Sequence, residues 1–217
     1  MSSSIAPSEA TIRKALNEFR VTVDDHQIGQ IQEYMKLLLA WNDKVNLTAI
    51  RDPLEILYRH FCESMFVASI VDMRQCRIAD IGAGGGFPGL PLKILLPDST
   101  VSLVESNVKK ATFLAEVVRT LKLGDTHVRV SRYQELGEEI APLDFVCARA
   151  LGDFSHFLAW AAAPEVAAGQ IVLWLGERDI LDVKACPQWA WQDAIAVPQS
   201  LRRVILIGTK MKIAEVL

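Results

Sequence analysis

Cysteine is scarce in this 217-residue chain, and the four present, Cys62, Cys76, Cys147 and Cys186, form no Cys-x-x-Cys pair and stand near no pair of histidines. That spacing excludes the common zinc frameworks and predicts buried free thiols in a reducing compartment, with no metal site. Long apolar runs are also missing. Although 51% of the residues are hydrophobic, no stretch approaches the ~18 uninterrupted apolar residues of a membrane span. Positive charge is not in excess either: 23 Lys and Arg stand against 26 Asp and Glu, for a formal charge of −3. A protein that coats nucleic acid indiscriminately must neutralise many phosphates, so this balance excludes that class while leaving room for a local basic face. The opening Met1-Ser-Ser-Ser-Ile-Ala-Pro has no basic region followed by an apolar one, which predicts a frayed terminus rather than a secretory signal, and a cytoplasmic protein. Neither repeats nor low-complexity linkers interrupt the chain.

What is present divides in two. From Thr11 to about Ile70 the apolar residues recur at three and four, with Ile28, Ile31, Met35, Leu38 and Leu39 on one helical face. Three helices are expected near 9–20, 25–43 and 53–71, with Asp24-Asp25 and Asp52-Pro53 as start signals. After Arg74, short apolar runs alternate with amphipathic stretches, the mark of βαβ units and a mainly parallel sheet. Seven strands are expected: Arg77–Ile81, Val101–Glu105, Val128–Ser131, Phe145–Ala148, Ile171–Leu175, Ala190–Val197 and Val204–Ile207. Helices should lie near 88–96, 107–122, 132–140, 153–168 and 177–185. The last two strands are linked by too few residues for a helix, so they should pair antiparallel. The expected architecture is an α/β, Rossmann-like domain over 73–217 with a helical extension, 1–72, packed on it.

Ile78-Ala-Asp-Ile-Gly-Ala-Gly-Gly-Gly-Phe-Pro-Gly is the most informative segment, a buried strand ending in glycines that permit positive φ and close backbone approach to a ligand. About 20 residues on, the second strand ends at Glu105, where a carboxylate can accept from both hydroxyls of a ribose. Together they point to a cofactor containing adenosine. A dinucleotide fingerprint would need glycine where Phe87 stands, and Pro88 and Pro91 remove amide donors from the following helix, leaving a poor cradle for pyrophosphate. S-adenosylmethionine carries no phosphate, and Asp-x-Gly-x-Gly-x-Gly, Asp80 to Gly86, is a form this turn takes in methyltransferases. Gly82, Gly84, Gly86 and Glu105 are thus candidate cofactor contacts. Tyr133 and Gln134 could stack on an adenine and meet its edge, and Arg149, at the carboxyl end of the fourth strand, is expected at the cleft mouth, facing a carboxylate or a phosphate. No convincing catalytic base stands out.

Several segments, in order along most of the chain, resemble the bacterial small-subunit ribosomal RNA guanine-N7 methyltransferases called RsmG or GidB. They are Trp41-Asn-Asp-Lys-Val-Asn-Leu-Thr-Ala-Ile, Arg59-His60 with Glu63-Ser64, Asp80 to Gly89, Val130-Ser-Arg-Tyr-Gln-Glu-Leu and Asp144 to Ala150. Glu63 stands where that family usually has Asp, and Gly85 where it often has Pro. The resemblance implies methyl transfer from S-adenosylmethionine to N7 of a guanine in 16S rRNA, on the 30S subunit or an assembly intermediate, by a monomer. It also implies that Gly82, Phe87, Tyr133, Gln134 and Arg149 contact the cofactor. Arg59, His60, Arg132, Arg202 and Arg203 are the candidate RNA contacts, with Lys109-Lys110, Arg129, Lys210 and Lys212 as further cations. Two other readings remain at this point. A dinucleotide-dependent oxidoreductase is opposed by Phe87 and Pro88; a cofactor-binding RNA chaperone without catalysis would have nearly the same sequence.

Overall fold

The protein is described from a computed structural model covering residues 6–149 and 152–211, so the expectations for Met1–Ile5, Ala150 and Lys212 fall outside it. Its helices begin where short polar side chains precede an apolar period. Ser8 caps α1 (Glu9–Glu18), Asp24 caps α2 (Asp25–Asn42), and in the latter the Gln27 side chain also returns to the Asp24 N–H. Asp52, followed by Pro53 at the first helical position, starts a helical stretch over 53–69, called α3. This stretch is not uniform: α turns at Pro53–Ile56 and Glu63–Met65 flank a π-helical segment, Leu57–Cys62, and a 3₁₀ turn, Phe66–Ser69, closes it. The wider π segment carries Arg59 and His60, and such local widening is frequent at functional positions.

The rest alternates strand and helix: β1 (Arg77–Ile81), α4 (Gly89–Leu95), β2 (Thr100–Val104), α5 (Val108–Thr120), β3 (Thr126–Arg129), β4 (Leu143–Arg149), α6 (Phe154–Ala162), β5 (Ala168–Gly176), α7 (Ile180–Lys184), β6 (Trp189–Trp191), β7 (Ile195–Ala196) and β8 (Arg203–Lys210). The sheet order is β3-β2-β1-β4-β5-β8-β6, with β7 also paired to β8. The first five strands are mutually parallel, whereas β8 runs antiparallel to β5, β6 and β7. The expected hairpin is therefore present, but the single expected strand 190–197 is two short ones, and β8 lies between β5 and β6. The helix expected over 132–140 shrinks to a 3₁₀ turn, Tyr133–Glu135, and that over 177–185 to a 3₁₀ turn, Glu177–Asp179, followed by α7.

Both faces of the sheet are buried, and this is why its strands read as nearly continuous apolar runs rather than an alternation. Ile78, Val101, Phe145, Val172, Trp174 and Ile205 point into one cluster shared with α1, α2 and α3. Ala79, Ile81, Val146, Ile171, Leu173 and Leu206 point into another, under α6 and α7. The helical start also reaches the sheet region through polar contacts. The Gln27 and Gln30 amides donate to the carbonyls of Ile94 and Leu121, closing the last turn of α4 and the end of α5.

Candidate functional site

At the carboxyl end of β1 the glycine turn divides into an open half and a buried half. Gly82 is exposed and Gly84 half-buried, while Gly85 to Pro88 are buried. Gly82, Gly84 and Gly86 all have positive φ, of 71°, 56° and 92°. At Gly86 a second constraint applies: a Cβ there would lie 2.4 Å from both Leu90 Cδ1 and Tyr34 Oη. The turn's amides are consumed internally. Gly82 and Ala83 N–H donate to the Val104 carbonyl, Gly84 N–H to Glu105 Oε2 at 2.9 Å, and Gly86 and Phe87 N–H to the Ala83 carbonyl. Gly89 N–H donates to Asp80 Oδ2 at 2.7 Å. Few donors are left to gather around an anion, so the site suits a ligand without phosphate. Burial pushes the Asp80 carboxyl up to about 7 against the Gly89 N–H and the Arg149 charge, which favour its ionised form, and Glu105 adds to the upward push.

A cleft of about 400 Å³ opens over this turn, with Gly82, Glu105, Arg132, Tyr133 and Gln134 in its wall. Glu105 forms its acidic floor: Oε2 accepts from Gly84 N–H and Oε1 from Asn107 N–H at 2.8 Å. Each carboxylate oxygen has two lone pairs, so acceptor capacity remains for a ligand. Tyr133 is held edge-on by Phe157 and Trp160, with ring centroids 5.6 and 5.0 Å away, while Gln134 is exposed beside it.

On the other side of β1, the ends of β4, β5 and β8 meet the π segment of α3 around a buried carboxylate. Glu63 is 2% exposed and faces three guanidinium groups: Arg203 at 2.5 Å, Arg149 at 3.6 Å and Arg59 at 3.6 Å. Its backbone carbonyl accepts the indole N–H of Trp174 at 2.8 Å, which fixes α3 to β5. Burial raises the Glu63 carboxyl above its usual range, and the arginines, Arg149 foremost, oppose that shift. Burial likewise lowers Arg149, with Glu63 acting in the opposite direction. Two contiguous cavities border this cluster, a smaller one of about 190 Å³ reached by Glu63, Arg149, Phe154 and Asp179, and an open one of about 530 Å³ between Arg59, Arg178, Arg202 and Arg203.

A sequence profile described as GidB, rRNA small subunit methyltransferase G, matches residues 27–198. The chain belongs to this family. A ribosomal RNA small subunit methyltransferase G of Chloroflexus aggregans is 35% identical over 216 residues, covering 94% of this chain and 90% of the relative. One from Listeria innocua is 41% identical over 145 residues, covering 65% and 61%. Among solved structures, a SAM-dependent methyltransferase from Aquifex aeolicus superposes with a TM-score of 0.62 at 13% identity, covering 76% of this chain and 97% of that one. A variant of MtNAS in complex with S-adenosylmethionine gives 0.58 at 17%, covering 93% and 77%. These likenesses show the fold, and membership of the methyltransferase G family makes the chain a methyltransferase with S-adenosylmethionine as its cofactor.

For this member of the methyltransferase G family, the structure gathers Gly82, Glu105, Tyr133 and Gln134 in one cleft, as the sequence suggested. Three expectations change. Phe87 does not line that cleft, because its ring is sandwiched in the core between Tyr34, at 5.3 Å and 13°, and His60, at 4.5 Å and 17°. Gly86 is buried against Leu90 and Tyr34, outside the wall of that cleft, and Tyr34 Oη donates to the Gly85 carbonyl beside it. Arg149 is not at the cleft mouth but deep in the cluster around Glu63, its side chain 17% exposed.

His60 is half-buried and faces inward. It stacks on Phe87 and bonds through Nε2 to Thr48 Oγ1 at 2.7 Å, and burial, with Arg149, Arg59 and Arg203 around it, pulls its pKa down to about 3. Arg59, Arg202 and Arg203 do share the open cleft, whereas Arg132 lies on the rim of the other one. Asn42, in the resembling Trp41 segment, closes a loop: its side chain accepts from the Leu47 and Thr48 N–H and donates to the Thr48 carbonyl. Asp179 and the joining role of Glu63 were missed from sequence. An Arg59-to-Glu63 spacing of four on a helix hinted at the latter, but Arg149 and Arg203 arrive from strands far along the chain.

The described residues contain no cluster of His, Cys, Asp and Glu able to hold a metal ion. Nor do they contain a helix long and apolar enough to cross a membrane.

Proposed function

We propose that this protein transfers the methyl group of S-adenosylmethionine to N7 of a guanine in 16S rRNA, acting on the 30S subunit or an assembly particle. The observation that carries the reading is a pair of unlike clefts, one at the ends of β1 and β2 and the other where β5 ends and β8 begins. The first has an acidic floor and few free amides; the second is lined by Arg59, Arg178, Arg202 and Arg203 beside Glu177 and Asp179. The first fits an adenosine without phosphates: Glu105 retains lone pairs for the ribose hydroxyls, Tyr133 and Gln134 flank the adenine, and Gly82 gives close backbone approach. Arg149, between the clefts, would take the cofactor's carboxylate through donors not aimed at Glu63. When bound, S-adenosylmethionine supplies a methyl group activated by positively charged sulfur.

Arg59, Arg178, Arg202 and Arg203 would receive RNA phosphates, with the helical extension, 1–72, contributing Arg59 to a cleft otherwise built by the methyltransferase domain, 73–217. N7 of neutral guanine has a lone pair and no proton, so the protein needs to align the reacting atoms and exclude water rather than supply a base. That requirement agrees with a cofactor cleft whose carboxylate, Glu105, and the Asp80 behind it are both tied to backbone amides. Both clefts are complete within one chain, which suits a monomer, and a ribosomal RNA substrate puts the reaction in the cytoplasm.

The test is to incubate the purified protein with 30S particles, naked 16S rRNA and random RNA in the presence of labelled cofactor, and to digest the rRNA for mass spectrometry. One 7-methylguanosine per 30S particle is expected, with weak labelling of random RNA, because few phosphate contacts are available for binding RNA without its folded shape. Equal labelling of all three, or tight NAD binding with no response to S-adenosylhomocysteine, would overturn the reading. Cofactor binding without any transfer would favour a chaperone.

A further inference from the structure

The smaller cavity beside Glu63 has no task in the cofactor site, yet its walls are chemically specific. Phe154 and Leu175 supply apolar surface, and Arg149 presents Nη1, buried and without a hydrogen-bond partner among the described residues. Its outer wall carries the Asp179 carboxylate, whose side chain is 32% exposed and whose nearest cation is Arg178, at 3.5 Å. Gly176 makes this placement possible, because a Cβ there would stand 3.3 Å from Asp179 Oδ2. Glu63 also borders the cavity from its buried inner side, where Oε1 meets Arg203 and Oε2 faces Arg149 at 3.6 Å without a hydrogen bond. Asp179, on the outer wall, is the carboxylate that an entering ligand reaches first.

We infer that this cavity receives the target base and that Asp179 reads it as guanine. The inference rests on the guanine-N7 reading above and follows from strand order. The cofactor cleft lies at β1 and β2, Arg149 at the end of β4, and Asp179 just past β5, so the three succeed one another across the sheet. A guanine with N7 turned toward the cofactor cleft brings O6 to the inner end, where Arg149 Nη1, which carries two N–H groups, can donate one to O6 and the other to the cofactor's carboxylate. Its opposite edge, with the N1 and N2 hydrogens, then faces the end of β5. A carboxylate there accepts from both. Adenine in the same pose would direct the lone pair of N1 at the carboxylate and be rejected, since an unpaired buried acceptor is costly.

The experiment compares reconstituted 30S particles carrying guanosine or inosine at the methylated position, inosine lacking only the exocyclic amine. Wild-type enzyme should lose on the order of 10- to 100-fold in kcat/KM on inosine, the range for one hydrogen bond to a charged group. Asp179→Ala should lose at least as much on guanosine and show no further penalty on inosine, and Asp179→Asn should behave in the same sense. Affinity for S-adenosylhomocysteine, measured by calorimetry, should be unchanged in both, which a merely structural role would not allow. Inosine accepted as well as guanosine by wild type, or a variant with full turnover on guanosine, would overturn the inference. Failure of wild type to methylate any 30S particle would instead refute the functional reading, and this inference with it.

Discussion

Replacing Glu63 with glutamine keeps the shape of the side chain and removes the one negative charge that three arginines surround. The separations of 2.5 Å to Arg203 and 3.6 Å to Arg149 and Arg59 set the scale. At an effective dielectric near 20, a pair about 4 Å apart attracts by about 4 kcal/mol, and removing one partner of a buried pair costs about 3–5 kcal/mol once desolvation is counted. For a protein of this size each kcal/mol moves Tm by about 2–4 °C, so Glu63→Gln should melt about 6–20 °C below wild type. Circular dichroism melts and urea midpoints at low and high salt measure it. The loss should survive high salt, because buried charges are poorly screened. Glu63→Asp, which retains the charge, should recover most of the stability. A Glu63→Gln protein melting within about 1 °C of wild type, outside the range expected for a broken buried pair, would show that the arginines do not depend on this carboxylate.

Glu105→Ala should weaken S-adenosylhomocysteine binding by on the order of 1–3 kcal/mol in calorimetry, since it removes both the ribose acceptor and the anchor of the Gly84 N–H. Gly86→Ala should lower Tm by about 4–20 °C, combining about 1–2 kcal/mol of positive-φ strain with about 1–3 of overpacking. Gly124→Ala, where a Cβ meets nothing within 4 Å, is the control and should melt close to wild type. His60 gives a pH signature: its folded pKa of about 3 lies below the ordinary 6.5. Its contribution is therefore complete above about pH 6.5 and declines as the pH falls toward 3, by at most about 1.4 kcal/mol per unit. Urea midpoints at pH 7 and pH 5 should differ more for wild type than for His60→Gln.

The sheet and the helical start were legible because both rest on local periodicity. The period of three and four through Ile28, Ile31 and Met35 marks α2, and the apolar runs at Arg77–Ile81 and Val101–Glu105 mark β1 and β2 to within a residue. Asp24 and Asp52 cap the helices the sequence assigned them. The grouping of Gly82, Glu105, Tyr133 and Gln134 in one cleft was legible for the same reason, as its wall comes from strand ends and turns in a short stretch of chain. Phe87 was misjudged because the stack that claims it is made by Tyr34 and His60, from two helices of the extension. Nothing in the glycine turn itself records them. Arg149 was expected at the cleft mouth because strand ends of such sheets open outward, but Glu63 and Arg203 close over it. The split of the strand expected over 190–197 follows from its partner: both halves pair with β8, but the register shifts by one residue between Trp191↔Gly208 and Ile195↔Ile205, which interrupts the ladder.

The placement of β8 has a consequence for how the enzyme is made. Arg59 and Arg203 lie far apart along the chain, and Glu63 joins them only when β8 has entered the sheet beside β5. The wall residues of the cleft over the glycine turn lie between Ile81 and Gln134, with Phe157 and Trp160 behind Tyr133, whereas the arginine-lined cleft joins residues from Arg59 to Arg203. Long-range pairing of this kind is slow relative to local structure. The cleft lined by arginines should therefore form later in folding than the one over the glycine turn, once β8 has docked on β5.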